Sequence, residues 1–273
     1  MVTEVKIEKS KWNINKESGI LMLGSCFTTN IGEELKRDGY NVLVNPFGVL
    51  FNPASIACAF NRFITAEPYN EADVINIGLH TTEPNGDEKR LPEDRFCSFY
   101  HHSSLARESG REFLCNANSI LERSSEFLRN ANTVIITLGT SWVFRHIRRD
   151  FIVSNCHKIN PKEFRREFLP IESTAAFLSE MAGAFPEKHF IFTVSPIRHF
   201  KDGAHGNRIS KASLLIAIDN VLKSCGNVEY FPSYEIMLDE LRDYRYYAED
   251  LVHPSDEAIK YIYARFRATY CPI

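Results

Sequence analysis

Two runs of the chain, TVIITL at 133–138 and HFIFTV at 189–194, are apolar or β-branched at nearly every position. A half-exposed strand alternates apolar and polar residues, so an unbroken run of this length has to bury both faces. A strand covered on both sides belongs in a parallel sheet with helices above and below it. GILML (19–23), YNVLV (40–44) and VEYF (228–231) read as three further strands. Helical patterns lie between them. Thr28 or Thr29 is placed to cap a helix reaching about Arg37, with Gly39 as its stop. Pro53 suits the first position of the helix ASIACAFNRFI. Residues 111–130, 173–185 and 210–225 follow, the last with Gly226 as its stop, and a final helix starts near Pro254. WVFRHIRRDFIVSNC (142–156) alternates like a hairpin, and YEIMLDELRDYRYY reads as an amphipathic helix against the core. The stretch from about 65 to 110 is polar and turn-rich, as expected of an insertion over the sheet edge or active-site face. The expected fold is α/β: one domain over 1–273, a three-layer α/β/α sandwich on a five-stranded parallel sheet, with that irregular subregion inserted.

A chain of 273 residues can bury a sizeable core. Its net charge of −3 offers no surface for a polyanion, so nucleic acid is not an expected partner. No run approaches the ~18 apolar residues of a membrane span. The seven cysteines include no Cys-x-x-Cys pair and no zinc spacing. With the charged N-terminus, which lacks a signal-like apolar core, they suggest reduced thiols and a cytoplasmic location. No cofactor is implied.

In an open parallel sheet, ligands bind beyond the carboxyl ends of the strands. The segments there are Gly24-Ser25-Cys26, Asn45-Pro46-Phe47-Gly48, Gly139-Thr140-Ser141-Trp142 and Ser195-Pro196-Ile197-Arg198-His199. Near the C-terminus Asp250 and His253 stand three apart, so one turn can bring both side chains together. A carboxylate there would hold the imidazole tautomer and leave the other ring nitrogen free to deprotonate a hydroxyl. Ser25 is the candidate hydroxyl, and a serine needs such a base to become a nucleophile. The backbone N–H groups of Ser25 and Gly48 and the hydroxyl of Ser141 or Thr140 are candidate oxyanion donors.

Plainer roles compete. Ser25 could cap the following helix, and Asp250 and His253 could cap the last one. Cys26 is a rival nucleophile, but packing under the strand end suits it better. Asn45 and Asn52 flank Gly48 and are suited to fixing its loop, with contact to substrate as the functional alternative. Trp142, His101, His102 and His157 are candidates to line a pocket. A metal site on Cys156 and His157 is the minority reading, because no further ligand stands at useful spacing. Arg198 and His199 belong either to a solvated loop or to a grip on an anionic or hydroxyl-rich substrate.

These segments together resemble the SGNH/GDSL hydrolases. The closer resemblance is to the GSCFA family, through GSCFT, NVLVNPFGVLFNPASI, VIITLGTSWVF, NCHK, TVSPIRHFKDG, ISKASLL and YFPSYEIMLDELRDYRYYAEDLVHPS, from about Ile20 to Phe266. The resemblance implies a three-layer sandwich and serine ester hydrolysis or acyl transfer. Ser25 would be the nucleophile, Gly48 an oxyanion donor, His253 the base and Asp250 its orienting partner. Two departures stand out: Ser25 directly follows Gly24, without the Asp of GDS, and Ser141 stands where the superfamily has an Asn donor. The expected activity is hydrolysis of O-acyl groups, acetyl in particular, on a carbohydrate or cell-envelope small molecule. An acyltransferase using the same site and an inactive glycan- or peptide-binding module are the alternatives.

Overall fold

Along the first strand of the computed structural model, Leu21 and Leu23 join one hydrophobic cluster while Ile20 and Met22 join another, and all four are buried. This is the two-residue period of a strand with helices on both faces. Residues 3–78, 81–82, 88–89 and 94–271 are described. The strands are β1 Gly19–Gly24, β2 Asn41–Val44, β3 Ile75–Asn76, β4 Thr81–Thr82, β5 Glu88–Lys89, β6 Phe96–Cys97, β7 Ala131–Leu138, β8 Trp142–His146, β9 Phe151–Val153, β10 Phe164–Phe168, β11 His189–Val194 and β12 Val228–Phe231. The helices are α1 Cys26–Arg37, α2 Pro53–Thr65, α3 Gly110–Asn130, α4 Ile171–Gly183, α5 Gly203–Leu222, the single turn α6 Ser233–Glu235, and α7 Asp256–Tyr270.

The core sheet has five strands in the order β12-β11-β7-β1-β2, and every pairing is parallel. Side chains of α2, α3, α4 and α5 cluster with Leu21, Val134, Ile136, Phe190 and Phe192 on one face. Those of α1 and α7 cluster with Ile20, Ile135, Ile191 and Phe231 on the other. The expected α/β/α layering is therefore present. Each fully buried Leu, Ile or Phe contributes roughly 1.5–3 kcal/mol against chain entropy, so these two layers hold the sheet. The order of connection reverses between β1 and β7, which makes their carboxyl ends the natural place for a ligand.

Local chemistry explains the helix ends. Asn52 accepts the Ser55 N–H at 2.9 Å and Pro53 opens α2. Ser109 caps α3 through Glu112 N–H, and Ser255 caps α7 through Ala258 N–H. Gly39 takes φ +87° just beyond α1, where a side chain would be strained. Several boundaries differ from the sequence reading. α1 starts at Cys26, before either threonine proposed as its cap. α5 starts at Gly203, seven residues early, and ends at Leu222 rather than against Gly226.

The 142–156 hairpin exists as β8 and β9, but a third antiparallel strand, β10, pairs with β8. Its sequence FRREF is charged, and it is stabilised across the ladder by Glu167 accepting from Arg145 at 3.1 Å. YEIMLDELRDYRYY is not one helix: α6 passes into a π-helical turn, Ile236–Glu240, closed by Leu241 N–H to Ile236 O at 3.0 Å. Part of the expected insertion, 79–80, 83–87 and 90–93, lies outside the described residues. Among the described residues no helix is long and apolar enough to cross a membrane.

Four histidines are largely buried, His199 the least so. Burial lowers His101 to about 3 and His157, His189 and His199 to about 4, so each is neutral at pH 7. Below pH 6.5 the unfolded chain takes up protons that these folded imidazoles refuse until about pH 4. Stability is therefore expected to fall as pH drops from 6.5 to 4, by the order of 1 kcal/mol or more per pH unit. Urea unfolding at pH 7, 6 and 5 checks this through the transition midpoint; a midpoint that holds constant across that window contradicts it.

Candidate active site

Gly24 ends β1 with φ +148°, and a Cβ on it would lie 2.3 Å from the Thr137 carbonyl oxygen and 2.6 Å from Thr28 Oγ1. Only glycine fits, because the chain turns out of the sheet directly against β7. The turn is pinned by Asn45, whose Oδ1 accepts the Gly24 N–H at 2.8 Å while Nδ2 donates to Thr29 Oγ1 at 3.1 Å. Asn45 thus holds the strand end and does not face outward as a free ligand.

Ser25 follows as the N-cap residue of α1, but its side chain caps nothing. Its Oγ instead donates to Ser195 Oγ at 3.0 Å. The hydroxyl is therefore not consumed by helix capping, the plainer role weighed for it. Ser25 is nonetheless only 3% exposed. Cys26, expected to pack inward, is exposed, and partial desolvation pushes its thiol pKa up rather than down. That is the opposite of what a thiolate nucleophile needs.

Asp250 and His253 meet as their spacing suggested. His253 Nδ1 lies 2.6 Å from Asp250 Oδ2, and Asp250 Oδ1 accepts the N–H groups of both Val252 and His253 at 2.9 Å. The backbone bond from His253, then its ring, then Val252 N–H hold Asp250 down to about 2. Leu251 between them takes φ +55°, the tight conformation that lets the pair close. Both side chains are about half exposed. Among the described residues no hydrogen bond joins His253 to Ser25.

The loop after β11 runs from one group to the other. Ser195 touches Ser25, and three residues on, Arg198 N–H donates to Val252 O at 3.2 Å beside His253. His199 feels the charge of His253 as well as that of Lys211, after burial the causes of its lowered pKa. Its buried Nε2 has no hydrogen-bond partner among the described residues and would lie 3.5 Å from a Cβ built on Gly139. Arg198 is stacked 4.1 Å over the Tyr247 ring and donates to its hydroxyl at 2.9 Å.

The anticipated oxyanion donors are placed differently from expectation. Ser141 is fully buried and its hydroxyl donates to Ser210 O at 3.2 Å. Thr140 Oγ1 is 3.0 Å from Ser210 Oγ and accepts the Trp142 N–H. Gly48, at φ +81°, donates its N–H to Asn45 O at 2.7 Å. Ser25 N–H reaches Thr137 O at a long 3.3 Å and is the least committed of the set. A hydroxyl has one proton to give, so Ser141 is spent inside the fold.

The remaining candidates serve packing. His101 is buried among Phe47, Tyr69 and Phe113, with Nδ1 2.7 Å from Ser98 Oγ. His102 caps the turn Ser103–Leu105, and its Cβ occupies the space beside Gly48 that a side chain there would need. His157 is bonded through both ring nitrogens, to Ser103 Oγ and Ser98 O, and burial pushes Cys156 to about 12, so neither is offered to a metal. Asn52 caps α2. Trp142 lies under the Arg166 guanidinium at 4.4 Å.

Lys211 escaped the sequence reading. It is fully buried and donates from Nζ to Gly139 O and Ser195 O, both at 2.7 Å. Its neighbour Ser210 holds Thr140 and Ser141. The usable signal was a lone cation inside the apolar stretch ISKASLL, where no exposed helix face explains it. A cavity of about 530 Å³ beside Trp12 and His189 opens at the opposite rim, at the amino ends of the strands, and holds none of the candidate catalytic residues.

The GSCFA family model matches residues 19–266. Among curated proteins none matches this sequence. One similar solved structure is a carbohydrate esterase family 2 enzyme plus carbohydrate-binding domain from Corynascus thermopiles (Myceliophthora fergusii). It shares 12% identity at a TM-score of 0.40, over 97% of this chain and 68% of that one.

Burial lowers the Lys211 ammonium from 10.5 to about 7. The unfolded chain holds that proton up to about pH 10.5, so raising pH from 7 to 10.5 favours the folded state through this group. Lys211→Met should lose about 2 kcal/mol or more at pH 7, because two buried carbonyls lose their donor. It should also lack the part of the pH 7–10.5 stability gain that Lys211 supplies. Paired denaturation curves of both proteins across this range test both statements.

Proposed function

As a premise, the chain belongs to the GSCFA family, and from its geometry we propose that it is a serine ester hydrolase acting on O-acyl groups, with Ser25 as nucleophile and His253 and Asp250 as its base pair. The observation that carries this reading is the Asp250–His253 contact at 2.6 Å, made at the carboxyl rim of the sheet by a loop bonded to the Ser195 segment. With Nδ1 committed to the carboxylate, Nε2 is the nitrogen free to take a proton. Ser25 Oγ currently gives its hydrogen bond to Ser195. Turning about its side-chain bond toward His253 is the step that activates it; apo sites commonly hold such contacts long. Attack on the ester carbonyl then forms an acyl-serine, the protonated imidazole gives its proton to the departing alcohol, and water releases the acid by the reverse sequence.

The developing oxyanion would take the Ser25 N–H, released from its long bond to Thr137 O, and the Ser195 hydroxyl proton. Ser195 Oγ accepts from Ser25 and from Ile197 N–H at 3.3 Å, which leaves its own proton to donate. Acetyl esters of a carbohydrate fit the reading as substrates. Transfer to a sugar hydroxyl in place of water uses the same steps. A second reading, a binding module without turnover, is favoured by the commitments of Ser141, Thr140 and Gly48 and by the burial of Ser25.

A fluorophosphonate probe should label the protein on Ser25, and Ser25→Ala should abolish both labelling and phenyl acetate turnover. His253→Ala should lower kcat by about 10²–10⁴-fold, the usual contribution of a general base. Full turnover in Ser25→Ala would refute the assignment. Absence of labelling in the wild-type chain, with a ligand that raises its melting temperature, would select the binding-module reading.

A further inference from the structure

We infer that the cavity between Arg198 and the 237–247 segment is a subsite for an oxyanion group, a carboxylate or a phosphate, carried on an apolar body by the alcohol part of the substrate; this rests on the ester-hydrolase reading for its substrate role, not for its binding. The cavity has a volume of about 220 Å³. Met237, Leu241, Tyr244 and Tyr247 form the apolar part of its wall, and two guanidiniums, Arg198 and Arg242, share it. Among the described residues neither arginine makes an ion pair. Asp243, the one carboxylate in the lining, uses Oδ1 to accept the Arg245 N–H and close its own turn.

Arg198 is pre-set for recognition. Its guanidinium is stacked 4.1 Å over Tyr247 and lies 5.6 Å from the Phe200 ring, with one bond to the Tyr247 hydroxyl. Stacking fixes the plane of the fork, and one bond leaves most of its five donors unspent. A planar fork with free donors matches a carboxylate or phosphate by paired hydrogen bonds. The chain carries a net charge of −3, so two unpaired cations on one cavity are not a reflection of bulk composition.

The cavity wall is bonded to the candidate catalytic loop on both sides of His253. Tyr247 pairs with Pro254 in an antiparallel bridge, and Ala248 N–H donates to His253 O at 2.8 Å. Ser255 N–H donates to Tyr246 O at 2.8 Å, and Arg198 N–H to Val252 O. Two residues of the cavity wall, Arg198 and Tyr247, are therefore bonded directly to the strip of chain that carries the base. The exposed Tyr244 and Leu238 at its mouth offer apolar surface to the body of that group.

Two esters differing by one charge test this: 4-acetoxybenzoate, with a carboxylate on the leaving alcohol, and neutral phenyl acetate. The wild-type kcat/KM ratio should favour 4-acetoxybenzoate by about tenfold or more, and Arg242→Met or Arg198→Met should bring the ratio toward that of the free reaction. Binding is measured separately on Ser25→Ala with benzoate, phenyl phosphate and benzyl alcohol by equilibrium NMR titration. The two anions should bind at least tenfold more tightly than the alcohol, and Arg242→Met, made at an exposed position, should remove that difference. The stronger anion identifies carboxylate or phosphate as the natural group. Equal binding of all three, or anion binding undiminished in both arginine variants, overturns the subsite. Anion binding that depends on Arg242 in a protein that hydrolyses neither ester would instead sink the hydrolase reading and leave the subsite standing.

Discussion

The carboxyl rim of the sheet is held together by one buried ammonium. Lys211 Nζ donates to Gly139 O beyond β7 and to Ser195 O beyond β11, so the exits of two adjacent strands share one donor. Burying a charge is costly unless it is hydrogen-bonded, and here the bonds are short and their acceptors fixed by the sheet. Gly139 in turn gives its N–H to Phe51 O, and Ser195 presents its hydroxyl to Ser25. Removing the cation would leave the Gly139 and Ser195 carbonyls, at the exits of two adjacent strands, without their shared donor.

Around that clamp the rim divides into a rigid part and an open part. Gly24, Asn45, Gly48 and the Thr140-Ser141-Ser210 network are buried or bonded at each polar group. Asp250 and His253 sit half exposed on a short loop, fully organised with respect to each other but not bonded to Ser25. The candidate base, His253, is thus oriented locally by its own turn, while the candidate nucleophile, Ser25, is held by a residue far off in sequence. The same division bears on the departure at Ser141: its hydroxyl closes the inner network, and the buried Ser195 is the hydroxyl that meets Ser25.

The arginine cavity extends this picture toward specificity. It is built from the segment where the expected amphipathic helix breaks into a π-helical turn and a short 3₁₀ turn. A straight helix would have packed its apolar stripe flat against the core. With that helix broken, Met237, Leu241 and Tyr247 line the cavity together with Arg198 instead.

The sequence by itself determined the layered fold, since its central runs, apolar on both faces, fit a parallel sheet covered on each side. It also determined the Gly24-Ser25 turn and the Asp250–His253 pair, because both arise within three residues and are dictated by local backbone geometry. Tertiary structure alone decided that Ser25 meets Ser195, that Ser141 is spent on Ser210 and that Lys211 bridges two strand exits. Those contacts join residues 170, 69, 72 and 16 positions apart. Periodicity says which face a residue occupies but not which distant group it meets there, and hydrogen-bond partners are chosen by that second fact. β10 was hidden for a related reason: its charged residues are paired across a ladder, and pairing leaves no mark on a single strand's pattern.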